Sequence, residues 1–320
     1  MLLTLSLFVL GFILIIKGAD LLVDGSSALA KKLRVSSLVI GLTIVSFGTS
    51  LPEMLVNLFA SAQGATDLAI ANVLGSNIAN ILLILGVAAI IYPLAVSKGT
   101  VWREIPFSLL AVIMLAVLAN DALLSGTNTS MISRSDGLVL IAFLVIFLYY
   151  IYNVAKNDRK KKMPDMDGVM KVSKSLLYLF IGIIGLIVGG NWVVDGAIEI
   201  ASFFNISESL IGLTIIALGT SLPELVTSAV AAYKHNAELA VGNAVGSNIF
   251  NIFWILGLSA VIRPLPFNIS SNYDILMVVG ATLLLFIWMF IGKKHILQRW
   301  QGLVFILMYI CYIGFVVYRG

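Results

Sequence analysis

Charge is scarce in this chain, and its scarcity excludes most soluble architectures. Of 320 residues only 11% are charged, 60% are hydrophobic, and the mean hydropathy is +1.05. Soluble domains carry about 25% charged residues, and long apolar runs mark bilayer spans. Cysteine is nearly absent: Cys311 alone can form neither an intrachain disulfide nor a thiolate metal cage. The only two histidines, His235 and His295, fall in predicted loops. With no Ser/His or HExxH arrangement in a span, neither an enzyme nor a cofactor is expected. The net charge of +4 is small and spread over short loops, which excludes a nucleic-acid-binding face. The first apolar run lacks a basic leader and is too long for a secretory signal, so it reads as a membrane helix.

What is present is a duplication at a constant offset of 171 residues. Residues 36–54 align with 207–225 at 12 of 19 identical positions, and 72–81 align with 243–252 at 7 of 10, without a gap. Gly18, Asp24 and Gly25 align with Gly189, Asp195 and Gly196. Apolar runs place about five spans in each half: 2–23, 36–62, 68–93, 102–119 and 136–154, then 175–197, 206–232, 238–262, 272–292 and 298–318. Between the halves lies a charged linker, 156–173, so the chain divides into repeats 1–155 and 174–320. An odd number of spans per half inverts the second copy. The expected fold is therefore an all-α polytopic membrane protein with ten transmembrane helices as two inverted five-helix repeats. Placing the N-terminus outside puts sixteen Lys and Arg in inside loops and three in outside loops. The positive-inside rule thus predicts both termini outside and the linker in the cytoplasm.

The second span of each half carries Gly-Thr-Ser-Leu-Pro-Glu, at 48–53 and 219–224. A carboxylate near the bilayer centre is costly and marks function by default. Pro52 and Pro223 cannot donate backbone hydrogen bonds, so carbonyls are freed nearby, with those of Ser46 and Phe47 expected to face a cavity. Offsets of one, three and four predict Glu53 beside Thr49 and Ser50 on one helix face. Ser76 and Asn80 are i, i+4 on the next span, preceded by Asn72. The second copy adds Thr220, Ser221, Glu224, Asn243, Ser247 and Asn251. All are oxygen donors, a set suited to hard cations, and two carboxylates match one divalent charge. No Lys or Arg lies at that depth in these helices, so cations or protons must compensate Glu53 and Glu224. Gly75, Gly246, Asn77 and Asn248 read first as packing residues. Asp20, Asp24 and Asp195 read as caps or interfacial pairs such as Lys17–Asp20.

The doubled GTSLPE segments, each followed by GSNIxNI, resemble the alpha repeats (41–81 and 212–252) of the calcium/cation antiporter superfamily, in its prokaryotic sodium/calcium exchanger branch. The resemblance implies a cell-membrane exchanger of three sodium ions for one calcium by alternating access, with the first and sixth spans sliding against the rest. It implies calcium on Glu53, Glu224 and the backbone oxygens of Thr49 and Thr220. Sodium would use Ser50, Ser76, Ser221 and Ser247 with the carbonyls of Ser46 and Ala217. Some relatives carry an acid where this chain has Asn251; here Asn80 and Asn251 are both amides. The expected partners are calcium, sodium and the bilayer, with no nucleic acid, and the chain is read as monomeric. A proton/calcium antiporter is the nearest rival, and a passive cation channel is the rival from a different class.

Overall fold

A computed structural model describes residues 2–126, 129–160, 169–203 and 217–319. Among these, eight helices are long and apolar enough to cross a membrane. They are α1 (Leu2–Leu33), α4 (Thr66–Ile91), α5 (Lys98–Leu118), α6 (Arg134–Asp158), α7 (Val172–Phe203), α10 (Ala237–Ile262), α11 (Asn272–Trp288) and α12 (Arg299–Arg319). A ninth candidate span is a bent pair: α2 (Ser37–Thr49) and α3 (Leu51–Gln63) meet at 47°. Its repeat counterpart is described from α8 (Ala217–Thr220) into α9 (Leu222–Tyr233). The earlier part of the expected seventh span, the start of the second alpha repeat and linker residues 161–168 lie outside the described residues. The protein is thus a polytopic helical membrane protein.

Two expected spans lengthen markedly. The span expected to end at Val23 continues to Leu33, and the one expected over 175–197 runs from Val172 to Phe203. The acids near the end of α1 do not stop the helix because they are paired from another element. Lys234, just past α9, lies 2.5 Å from Asp20 and 2.7 Å from Asp24. Asp20 therefore pairs with Lys234 rather than with Lys17. Partial burial works against the charge on Lys234, but hydrogen bonds to the two aspartates outweigh it and raise its pKa.

Helices α1 and α7 cross backbone to backbone. A methyl added at Gly18 would lie 2.9 Å from the Gly182 carbonyl, and one at Gly11 would lie 2.9 Å from the Gly189 carbonyl. Gly11, Gly18 and Gly25, with Gly182, Gly189 and Gly196, form two seven-residue series related by the 171-residue offset. Small residues at such spacing let membrane helices approach closely.

Of the long helices, α4 and α10 are by far the most buried. Two antiparallel ladders tie the halves together: β1 (Leu94–Ala95) pairs with β4 (Ile296–Leu297), and β2 (Met131–Ile132) pairs with β3 (Leu265–Pro266). Each ladder joins one half to the other, and β1 and β3 are repeat equivalents.

Candidate cation site

The helix breaks place the chemistry. Ser50 (φ −84°, ψ 10°) and Ser221 (φ −89°, ψ 4°) leave helical geometry immediately before Leu-Pro-Glu. Across the first break, Ser50 N–H donates to the Ser46 carbonyl at 3.0 Å and Met54 N–H donates to Ser50 at 3.0 Å. The Ser46 carbonyl also accepts from Thr49 Oγ1 at 3.4 Å. Pro52, as its missing N–H requires, deprives the Gly48 carbonyl of its i+4 donor. Ala217, the repeat equivalent of Ser46, lies in α8.

Both acids are buried, Glu53 and Glu224 each being 1% exposed. Their hydroxyl partners are crossed between halves. Ser50 Oγ donates to Glu224 Oε1 at 2.8 Å, whereas Ser221 Oγ donates to Glu53 Oε1 at 3.2 Å. The helical spacing predicted Ser50 beside Glu53. The turn at Ser50 aims its hydroxyl at the opposite half instead. Ser50 Oγ lies 3.0 Å from Ser247 Oγ, and Ser221 Oγ lies 3.2 Å from Ser76 Oγ. Ser247 also reaches Glu224 Oε1 at 3.4 Å. Thr49 donates to Asn243 at 3.0 Å and Thr220 to Asn72 at 3.4 Å, again reciprocally.

Four asparagines close a ring between α4 and α10. Asn80 Nδ2 donates to Asn248 Oδ1 (2.9 Å), and Asn251 Nδ2 donates to Asn77 Oδ1 (3.0 Å). Asn77 and Asn248 each donate 3.3 Å to the other's backbone carbonyl. Every amide NH2 is thereby engaged, which fixes the Oδ1 atoms of Asn80 and Asn251 as acceptors. Both asparagines sit at π-helical turns, 79–84 and 251–256. Such wide turns recur at functional sites. Below the acids, Asn57 Nδ2 donates to the Glu53 carbonyl (2.9 Å) and Asn243 Nδ2 donates to the Glu224 carbonyl (3.3 Å).

Besides Asn57 Oδ1, four buried oxygens here have no hydrogen-bond donor: Glu53 Oε2, Glu224 Oε2, Asn80 Oδ1 and Asn251 Oδ1. They form two repeat-related pairs. The ion pairs of Lys234 with Asp20 and Asp24, and of Arg319 with Asp274, lie elsewhere. Unpaired buried acceptors of this kind are costly unless a cation or proton meets them. Among the described residues no group of three or more His, Cys, Asp or Glu forms a conventional metal cluster. The donor set is two carboxylates with hydroxyls and amides.

Gly246 completes the wall, since a methyl there would stand 2.7 Å from Ser46 Oγ and 2.9 Å from Leu42 Cα. The equivalent neighbours of Gly75 would be residues 213 and 217, and 213 lies outside the described residues. The packing role expected of Gly246 is present. Asn77 and Asn248, read from sequence as packing residues, orient the two amides of the site. Asn57 escaped the sequence reading because its contact is to a backbone carbonyl, which no motif displays.

The family model for the sodium/calcium exchanger protein matches residues 3–153 and 174–318. The chain belongs to that family. Within it, the inner membrane protein YrbG of Escherichia coli is 40% identical over 301 residues, covering 90% of each chain. The sodium/calcium exchanger MaX1 of Methanosarcina acetivorans is 32% identical, covering 98% of each. A solved structure of the sodium-calcium exchanger NCX_Mj, soaked with 10 mM Na+ and no Ca2+, superposes with a TM-score of 0.84 at 38% identity. It too covers 98% of each chain. Exchanger-family membership extends over both halves and is interrupted only around the linker.

Proposed function

We propose that this protein exchanges sodium for calcium across the cell membrane by alternating access, three sodium ions for each calcium. The observation that carries the reading is the pair of buried, crossed carboxylates with donorless oxygens and, among the described residues, no basic partner. A calcium ion would be held by Glu53 and Glu224 with the backbone oxygens of Thr49 and Thr220. Sodium ions would use the hydroxyls of Ser50, Ser76, Ser221 and Ser247 and the carbonyls of Ser46 and Ala217, with Asn80 and Asn251 bordering the site. The exchanger names carried by MaX1 and by the solved relative support the same cargo. Because the site carries two negative charges, an empty state is disfavoured and one cargo replaces the other. The cycle would move one net positive charge.

The proposed architecture is ten crossings in inverted repeats 1–155 and 174–320, joined by a cytoplasmic linker over 156–173, with both termini outside. Its support includes the ladders. Counting ten crossings puts β1 and β4 on one side of the membrane and β2 and β3 on the other, the pairing observed. Ion pairs near the helix ends obey the same alternation: Lys234 with Asp20, and Arg319 with Asp274.

The deciding measurement is calcium-45 uptake into proteoliposomes. Uptake is expected to follow an outward sodium gradient and to resist a proton uncoupler. Uptake that follows a pH gradient without sodium would assign the protein to proton/calcium antiport. The hydroxyl-rich surroundings favour sodium, because a proton needs only the carboxylates.

The asparagine ring yields a second expectation. Asn248→Ala removes the acceptor that orients Asn80, so Asn80 Oδ1 is no longer held toward the site. A buried hydrogen bond of this kind contributes about 1.5 kcal/mol, or about tenfold in affinity. The KM for calcium is expected to rise about tenfold while the maximal rate changes less. An unchanged KM would reduce the ring to packing.

A further inference from the structure

The helices α3 and α9 end at equivalent three-residue stretches, Gln63-Gly64-Ala65 and Lys234-His235-Asn236. The second stretch is polar and tied to its surroundings. Lys234 Nζ bridges Asp20 and Asp24 of α1 at 2.5 and 2.7 Å. Asn236 Nδ2 donates to Ser27 Oγ of α1 at 3.0 Å and to Ser37 Oγ of α2 at 3.3 Å. His235 stacks on Tyr92, just beyond α4, with ring centroids 4.3 Å apart. Three successive residues thus fasten the end of α9 to α1, α2 and the end of α4.

The links to α1 have no counterpart in the other half. The equivalents of Lys234 and Asn236 are Gln63 and Ala65, and those of Asp20 and Ser27 are Asn191 and Ile198. Of these partners only Asp24 is repeated, as Asp195. The packing follows the chemistry. Helix α1 lies along α9, whereas among the described residues α7 makes no comparable contact with α3.

We propose that Lys234 and Asn236 form a one-sided latch that favours the state closed toward the cytoplasm over its inverted counterpart. The proposal rests on the alternating-access reading and orientation given above. Two identical inverted halves would interconvert between access states of equal energy, so a bias within the protein must come from residues that differ. In the inverted state the contacts exchange: α7 lies along α3 and α1 leaves α9, which breaks the bonds of Lys234 and Asn236. That state gains nothing in return, because Gln63 and Ala65 cannot make them. The lysine and its aspartates are partly exposed, so each ion pair is modest. With the asparagine bond to Ser27 they amount to a bias of about tenfold. Cytoplasmic ions then meet an open site only in the minor state, and their apparent affinity falls by the fraction populated.

The test follows the separation of α1 from α9 in the full-length protein by electron paramagnetic resonance. Spin labels are carried by Lys31→Cys and Tyr233→Cys, both exposed positions, in a Cys311→Ser background. Lys234→Gln/Asn236→Ala copies the first half at this stretch. It is expected to lower the ratio of close to separated labels about tenfold, while Lys234→Arg keeps the ratio. If the double variant does not fold, Lys234→Gln alone is expected to lower the ratio about fivefold. Gln63→Lys/Asn191→Asp supplies the missing lysine and aspartate at the outer stretch. It should lower the ratio as well, by stabilising the inverted state, an effect that loss of packing would not produce.

The readout does not depend on the cargo. Failure of sodium-driven calcium uptake would overturn the exchange reading and leave this comparison intact. A ratio unchanged in the folded Lys234→Gln/Asn236→Ala variant would overturn the latch. So would one distance common to every variant.

Discussion

Glu53→Gln and Glu224→Gln are each expected to abolish calcium uptake driven by a sodium gradient while leaving the protein folded. Each substitution preserves shape and removes one of the two negative charges. In the structure each acid is met by a serine from the opposite half, and a glutamine can still accept those hydrogen bonds through its Oε1. What it cannot do is compensate a divalent ion held away from water. Breaking one side of a buried charge pair costs about 3–5 kcal/mol. That corresponds to a loss of about 100-fold or more in calcium affinity. Calcium-45 flux and calcium binding by calorimetry should fall together, with an unchanged gel-filtration profile. The reciprocal geometry makes the two variants equivalent in kind, so one inactive and one fully active variant would contradict the shared site. Two active variants would remove these acids from the mechanism.

The second large effect is expected far from the carboxylates. Gly18→Val should separate α1 from α7, lower the melting temperature by about 5 °C or more and eliminate transport. The added carbon would stand 2.9 Å from both the Gly182 carbonyl and the Leu186 nitrogen. Both are backbone atoms, which cannot rotate aside as a side chain can. Relief requires moving a whole 32-residue helix, and overpacking of this type costs about 1–3 kcal/mol. For a domain of this size each kcal/mol shifts the midpoint by about 2–4 °C. The matched control is Gly314→Ala in α12, where an added carbon meets nothing within 4 Å. Thermal unfolding of the two variants in the same detergent gives the comparison. If α1 and α7 move as one unit during alternating access, transport should fail even where Gly18→Val remains folded. Full flux in a folded Gly18→Val variant would show that close contact at this point is dispensable.

The glycine series shows how much was legible in the chain and how much was hidden. Gly18, Gly25, Gly189 and Gly196 are visible as repeat equivalents, but that they face one another requires two helices from different halves to cross. The Asp20–Lys234 pair was hidden for the same reason, since its members lie 214 positions apart. Within a helix, spacing sets which side chains are neighbours, so the sequence supports only local pairings such as Ser50 with Glu53. The turn at Ser50 cancels that pairing.

The amino-acid order determined the membrane class, the twofold repetition, the break before each Pro-Glu and the two acids set at equivalent places in it. Apolar run length, self-similarity and proline's missing donor are properties of the chain itself. Tertiary structure decided which serine meets which glutamate, how four asparagines orient two amides, and which acids Lys234 reaches. Those outcomes depend on the relative placement of helices from opposite halves. Nothing in local sequence encodes the angle and register at which two distant segments come to rest.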